Sequence, residues 1–249
     1  MRIFDCFIMR DEIDILNIRL QELSDHVDIF VIVEANKTFA GQDKSFYAET
    51  VISQYSKEIR YVKVVDLPEM INNDRWPLEY YQRNAIMRGL EDMRDDDVVM
   101  ISDVDEIWDP GVFERIPYCL EQIPYCFEQM PINIYLNLMK SKPSRWFGTL
   151  ALFGKHLRHE TPQQWRLKKD VFKKEGIGGW HFSWIGDSVE LQNKMQSCCH
   201  VECDNEQFLI TLMNQRRDLL NMEIVDINKL PKSIQNNIEY FKQKGLICG

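Results

Sequence analysis

This sequence predicts an α/β fold, a Rossmann-like mixed sheet flanked by helices, on three observations. Apolar, β-branched runs alternate with segments of helical spacing through the first half of the chain. One of those runs, Val98 to Ile101, ends abruptly in the carboxylates Asp103, Asp105 and Glu106. Beyond Asp109-Pro110 the texture changes to longer, partly exposed strands of antiparallel character, followed by closing helices.

Ile3 to Ile8 reads as a first strand, and Asp11 as the N-cap of a helix carrying Ile13, Leu16, Leu20 and Leu23. Val27 to Val33 is a second buried strand, ending in Glu34. The polar loop Ala35 to Ser45, with Gly41 inside it, suits a segment that covers a ligand. A short helix from Tyr47 and a third strand, Arg60 to Val65, continue the alternation. Trp76 to Met93 is a helix with Pro77 tolerated in its first turn, and it feeds the Val98 to Ile101 strand. This order implies parallel strands joined by right-handed crossovers. Ile132 to Met139 and Trp146 to Phe153 are later strands. Gly176-Ile177-Gly178-Gly179 is a tight bend against close backbone. Val189 to Gln196, Gln207 to Leu220 and Lys232 to Lys244 are the last helices.

The chain of 249 residues, 45% of them hydrophobic, is long enough for a sheet covered on both faces. A net charge of -9 argues against nucleic acid as a partner. The start, Met1-Arg2-Ile3-Phe4-Asp5, meets an acid at once, and no apolar run reaches the roughly 20 residues that cross a bilayer. Seven cysteines without framework spacing fit reduced thiols, so a cytoplasmic location is expected. Cys198-Cys199-His200-Val201-Glu202-Cys203 has no second ligand pair at suitable spacing, and Cys119 and Cys126 stand alone, which argues against zinc.

Function in open α/β sheets sits at the carboxyl ends of strands, so Asp103 and Asp105 should emerge together in a crevice with Glu106 beside them. Clustered acids repel one another unless a cation is present, and hard oxygen ligands suit Mg²⁺ or Mn²⁺. The expected use of such a cation is to hold a diphosphate. An EF-hand fails because Ile107 and Trp108 stand where an oxygen ligand and a glycine belong. A phosphatase with Asp103 as nucleophile, and a carbohydrate-binding module whose acids hold calcium, remain as alternatives. Arg83 can pair with a phosphate and Asn84 can read a base or ribose edge. Glu34 can accept from a ribose or base. His181, between Gly178-Gly179-Trp180 and Phe182-Ser183-Trp184, is a candidate metal ligand with Asp103 and Asp105. From Lys140 to Lys174 ten basic residues face only Glu160 and Asp170, a local balance of +8. Such a field suits an anionic acceptor or a membrane surface.

Taken in order, these segments resemble glycosyltransferase family 17. The resemblance rests on Phe4-Asp5-Cys6-Phe7, Asp11 to Leu20, Val27 to Gly41, Gln82-Arg83-Asn84, Ser102-Asp103-Val104-Asp105-Glu106-Ile107 and Gly178 to Ser183. It implies a GT-A fold and an inverting transfer from a nucleotide sugar, typically UDP-N-acetylglucosamine. By position it implies that Asp103 faces the ribose and metal, Asp105 is the principal metal ligand, and Glu106 touches the donor sugar or supports the site. Glu34, Arg10, Arg83 and Asn84 become donor-binding candidates, and His181 a ligand to metal or diphosphate. Asp187, after Gly186 at a helix start, is the expected catalytic base, narrowly ahead of Glu160 and then Glu202, with Glu106 the other catalytic candidate. The acceptor is expected to be a glycan, free or lipid-linked. The whole chain, 1–249, is read as one domain, with a nucleotide-binding half (1–109) and an acceptor-binding half (110–249).

Overall fold

Side-chain parity along the first strands decides which residues face which layer of helices. In the computed structural model, which describes residues 1–113, 124–219 and 221–249, the strand β1 (Ile3–Met9) lies between β2 (Ile29–Ala35) and β4 (Val98–Asp103). Phe7, Phe30 and Met100 face one core together with Leu16 and Leu20 of α1 (Ile13–Leu23). Phe4, Cys6, Val31 and Ile101 face the other, with Ala85, Ile86 and Leu90. Both faces are therefore covered, and the strands read as continuous apolar runs rather than alternating ones.

β3 (Glu58–Val64), β2, β1 and β4 are mutually parallel. β8 (Trp146–Phe153) then pairs antiparallel to β4, and β6 (Tyr125–Asn133) antiparallel to β8. β9 (Lys173–Ser183) runs parallel to β6, and β5 (Glu106–Trp108) closes the sheet antiparallel to β9. The sheet is thus mixed, and its strand order 3-2-1-4-8-6-9-5 draws on both halves of the chain. A two-stranded ribbon joins β7 (Leu138–Lys140) to β10 (Met222–Ile224).

Several boundaries differ from expectation for local reasons. No side chain caps α1; the Glu12 carboxylate instead accepts from the N–H groups of Arg10 and Asp11, at 2.9 and 3.1 Å. α2 (Glu49–Ile52) and α4 (Pro110–Phe113) are single turns, whereas the helix α3 (Trp76–Asn84) passes into a 3₁₀ turn, Ala85–Gly89, where Gly89 presses on the Val31 side chain and has no room for a Cβ. The strand expected over Ile132 to Met139 stops at Asn133, because Ile134 takes a left-handed φ of 72°. The glycine run lies within β9 rather than in a bend. Its close approach is real at Gly179, whose φ is +154° and whose Cβ would collide with the Ile107 carbonyl. The last predicted helix divides at Asn237 into Lys232–Asn236 and Ile238–Gln243. Cys119, Leu220 and the Lys174 side chain lie outside the described residues.

Candidate active site

The turn after β4 is where the chain spends its buried polar chemistry. Ser102 and Asp103 end β4, Val104 and Asp105 make the turn, and Glu106 begins β5. β5 pairs with β9 in the register Glu106↔His181, and the Phe182 N–H donates to the Asp105 carbonyl at 2.8 Å. That register carries Asp105 to His181, with Oδ1 3.9 Å from Nε2. The sequence could suggest that meeting; the pairing of two strands far apart in the chain enforces it.

A cavity of about 520 Å³ opens over this turn, walled by Arg10, Glu12, Glu79, Arg83, Asp103, Asp105, Trp146, Arg166, Lys169, His181 and Lys194 among others. Each acid of the D-x-D pair is met by cations. Asp103 accepts from Arg83 at 2.8 Å and from Arg166 at 3.4 Å; Asp105 accepts from Lys194 at 3.0 Å. Burial alone would raise the Asp103 carboxyl, but Arg83 and Arg166 outweigh it and hold the group well below the ordinary range. Burial pushes His181 down more than Asp105 and Glu106 raise it, so the imidazole is neutral at pH 7. Burial would likewise lower Lys194, but Asp105 and Glu12 keep it above its ordinary value and charged.

Of the sequence candidates, Arg10, Arg83, Asp103, Asp105 and His181 share this cavity. Four others are placed elsewhere. Glu34 is fully buried beneath the loop, accepting from Lys44, the Tyr47 and Ala48 N–H groups and the Tyr61 hydroxyl, at 2.5–3.0 Å. It fastens the 36–48 loop to the sheet and has no atom in the cavity wall. Asn84 accepts from the Gln163 N–H at 3.0 Å and so docks α5 (Pro162–Leu167) onto α3. Glu106 is also fully buried, gripped by Arg166 at 2.5 and 2.6 Å and by the Trp146 indole at 3.0 Å. It holds those two side chains in place and is not among the residues that line the cavity. Asp187 is the N-cap of α6 (Ser188–Ser197), exposed and accepting from Val189 and Glu190, about two turns before Lys194. It is not among the residues that line the cavity.

Arg166, Lys169, Lys194 and Trp146 also line the cavity, though no motif singles them out in the sequence. Arg166 and Lys169 belong to the basic run, four of whose other members pair with acids: Arg145 with Glu128, Arg158 with Asp95, Lys168 with Glu160 and Lys173 with Asp170. The Thr161-Pro162-Gln163-Gln164 capping box is the sequence signal for the helix that turns Arg166 inward. Nothing in the sequence marks Lys194.

Among the described residues no group of three or more His, Cys, Asp or Glu side chains is arranged to hold a metal. Asp103 is held by Arg83 and Arg166, and Asp105 by Lys194. Asp105 and the neutral His181 nevertheless fit a divalent ion as a two-residue set. Mg²⁺ and Mn²⁺ sites commonly take one or two protein ligands and complete their shell with substrate phosphate and water.

The carboxylates held by arginines also govern stability. Asp103, Glu106 and Glu12 all have folded-state pKa values below their ordinary ones, because opposing cations outweigh the cost of burial. Their contribution is complete above the unfolded values, about 4, and is lost as pH falls through the depressed folded values. His181, neutral when folded, has the same sign below about 6.5. Calorimetry should show the Tm falling steadily from pH 6.5 to 3, with the steepest loss below about pH 4.

A mixed α/β sheet that delivers a D-x-D pair into a cation-walled cavity is the framework of a glycosyltransferase. The chain belongs to glycosyltransferase family 17, whose model matches residues 1–223. It is 30% identical to the beta-1,4-mannosyl-glycoprotein 4-beta-N-acetylglucosaminyltransferase of Homo sapiens over 43% of this chain and 22% of that protein. The relative of the same name from Rattus norvegicus is 30% identical over 43% of this chain and 21% of its own. The matched stretch thus spans about a fifth of these relatives. A solved 4-diphosphocytidyl-2C-methyl-D-erythritol synthase shares 12% identity at a TM-score of 0.41, covering 77% of this chain and 92% of that one, too slight a likeness to bear on function. Family membership removes the phosphatase and calcium-module readings.

Proposed function

We propose that this chain transfers N-acetylglucosamine from UDP-N-acetylglucosamine to a hydroxyl of a glycan acceptor, with inversion at the anomeric carbon and dependence on Mn²⁺ or Mg²⁺. The observation that carries the reading is the meeting of Asp105 and His181 in a cavity whose wall also carries Arg10, Arg83, Arg166, Lys169 and Lys194. Asp105 and His181 would hold the ion, which when bound neutralises charge growing on the leaving diphosphate. Arg83 and Arg166 keep Asp103 ionised at any physiological pH, so it can accept from ribose hydroxyls. Burial of His181 against the Trp146 ring, stacked at 4.2 Å, keeps water from the same corner. Trp76, Tyr80 and Trp184, which also line the cavity, are aromatic surfaces on which an acceptor sugar can lie. The acceptor hydroxyl then attacks from the side opposite the diphosphate, its proton passing to a carboxylate base.

A thermal-shift panel of UDP-, GDP-, CDP- and dTDP-sugars, with and without Mn²⁺, tests donor class and cation together. UDP-N-acetylglucosamine with Mn²⁺ at a hundred times its Kd should stabilise the protein by about 2.7 kcal/mol. A panel in which no nucleotide sugar raises the Tm overturns the reading.

A further inference from the structure

We propose that Lys169 is a diphosphate-binding residue of this site, its ammonium meeting the phosphate oxygens of the donor and keeping them as the sugar departs. The proposal rests on the nucleotide-sugar reading above and extends it to a residue that the D-x-D pattern does not reach.

The cavity's cations differ in what they already hold. Arg10 is paired with Asp11 at 2.6 Å, Arg83 with Glu79 and Asp103 at 2.7 and 2.8 Å, Arg166 with Glu106 at 2.5 Å and Lys194 with Asp105 at 3.0 Å. Lys169 lines the same wall and makes no ion pair or hydrogen bond among the described residues. What steadies it is a ring: its ammonium lies 4.7 Å from the centroid of the Trp146 indole. That indole is itself fixed, donating to Glu106 at 3.0 Å and stacking on His181 with 14° between the planes. Lys169, Trp146, His181 and Asp105 therefore form one contiguous row along the cavity.

An aromatic face positions an ammonium without using its N–H donors, so three of them remain for an anion. A carboxylate in that place would have consumed them. Glu106 and Asp103 attract this half-buried ammonium without pairing with it, so its N–H donors are unsatisfied until an anion arrives. Lys168 and Lys173, its neighbours in the sequence, are spent on Glu160 and Asp170 at the surface. Lys169 alone of these three is turned to the cavity.

The test compares UDP with uridine on the full chain in Mn²⁺ buffer, by titration calorimetry and ligand-observed NMR, for the wild type, Lys169→Met and Lys169→Arg. Lys169→Met should weaken UDP by about 10- to 100-fold and leave uridine unchanged, while Lys169→Arg keeps most of the affinity. Undiminished UDP binding by Lys169→Met overturns the proposal, and so does an equal loss of UDP and uridine, which marks a merely structural role. A wild type that binds no UDP at all overturns the donor reading, and the assignment of Lys169 with it.

Discussion

Replacing Asp105 by asparagine should reduce glycosyl transfer by ~10³-fold or more, a loss of about 4 kcal/mol of transition-state stabilisation. The asparagine keeps the shape of the turn and removes only the negative charge. Asp105 faces two groups with different needs: Lys194 at 3.0 Å and His181 at 3.9 Å. Without the carboxylate, Lys194 loses its partner and the proposed cation loses its one anionic protein ligand, so the leaving diphosphate is stabilised by Lys169 and the arginines alone. Initial rates of UDP release, measured across a Mn²⁺ titration, are the direct check. The variant should gain little from added Mn²⁺, whereas the wild type should depend on it steeply. Near-normal turnover by Asp105→Asn would remove the metal-assisted mechanism. A Tm within a few degrees of the wild type would show that the loss is chemical and not a failure to fold.

The parts of the molecule that rest on local pattern were legible in the sequence. The four parallel strands and the D-x-D turn follow from apolar runs and from the abrupt appearance of Asp103 and Asp105 after Ile101. What could not be read is whatever depends on non-local pairing. Glu34 looks like a free acid at a strand end, yet four donors from the following loop and from Tyr61 saturate it. Asp187 sits two residues before a helix pattern, which describes an N-cap as well as a base, and the structure shows the cap. Arg166 and Lys169 read as part of a basic surface because a count of charge along the chain is blind to acids such as Glu106, Glu128 and Asp95 that arrive from other strands and loops. Register is the missing quantity: Glu106↔His181 alone converts two motifs into one site.

Arg19→Met should be the most destabilising single change near the site, costing about 3–5 kcal/mol. Arg19 projects from α1 and is wholly buried. Its guanidinium is bidentate to Asp5 at 2.7 Å on both arms, and it also donates to the Ser102 hydroxyl at 2.6 Å. The same fork donates to the carbonyls of Asp103, Val104 and Glu106, at 2.9, 3.2 and 3.0 Å. The D-x-D turn is thus wrapped around one side chain; when it goes, the carbonyls of Asp103 and Val104 lose this donor, while that of Glu106 keeps the Thr149 hydroxyl at 2.8 Å. Arg19→Lys should not rescue, because an ammonium cannot span Asp5 and three carbonyls as a planar fork does. Denaturant midpoints measure the stability loss; the double variant Asp5→Leu/Arg19→Leu separates it from function. Replacing a buried ion pair by apolar side chains of similar bulk can recover stability, so the double variant should be more stable than Arg19→Met. It should nevertheless remain inactive, since nothing in it fixes the turn that carries Asp103 and Asp105. Recovery of transfer together with stability would mean that the turn holds its shape unaided and that Arg19 serves the fold alone.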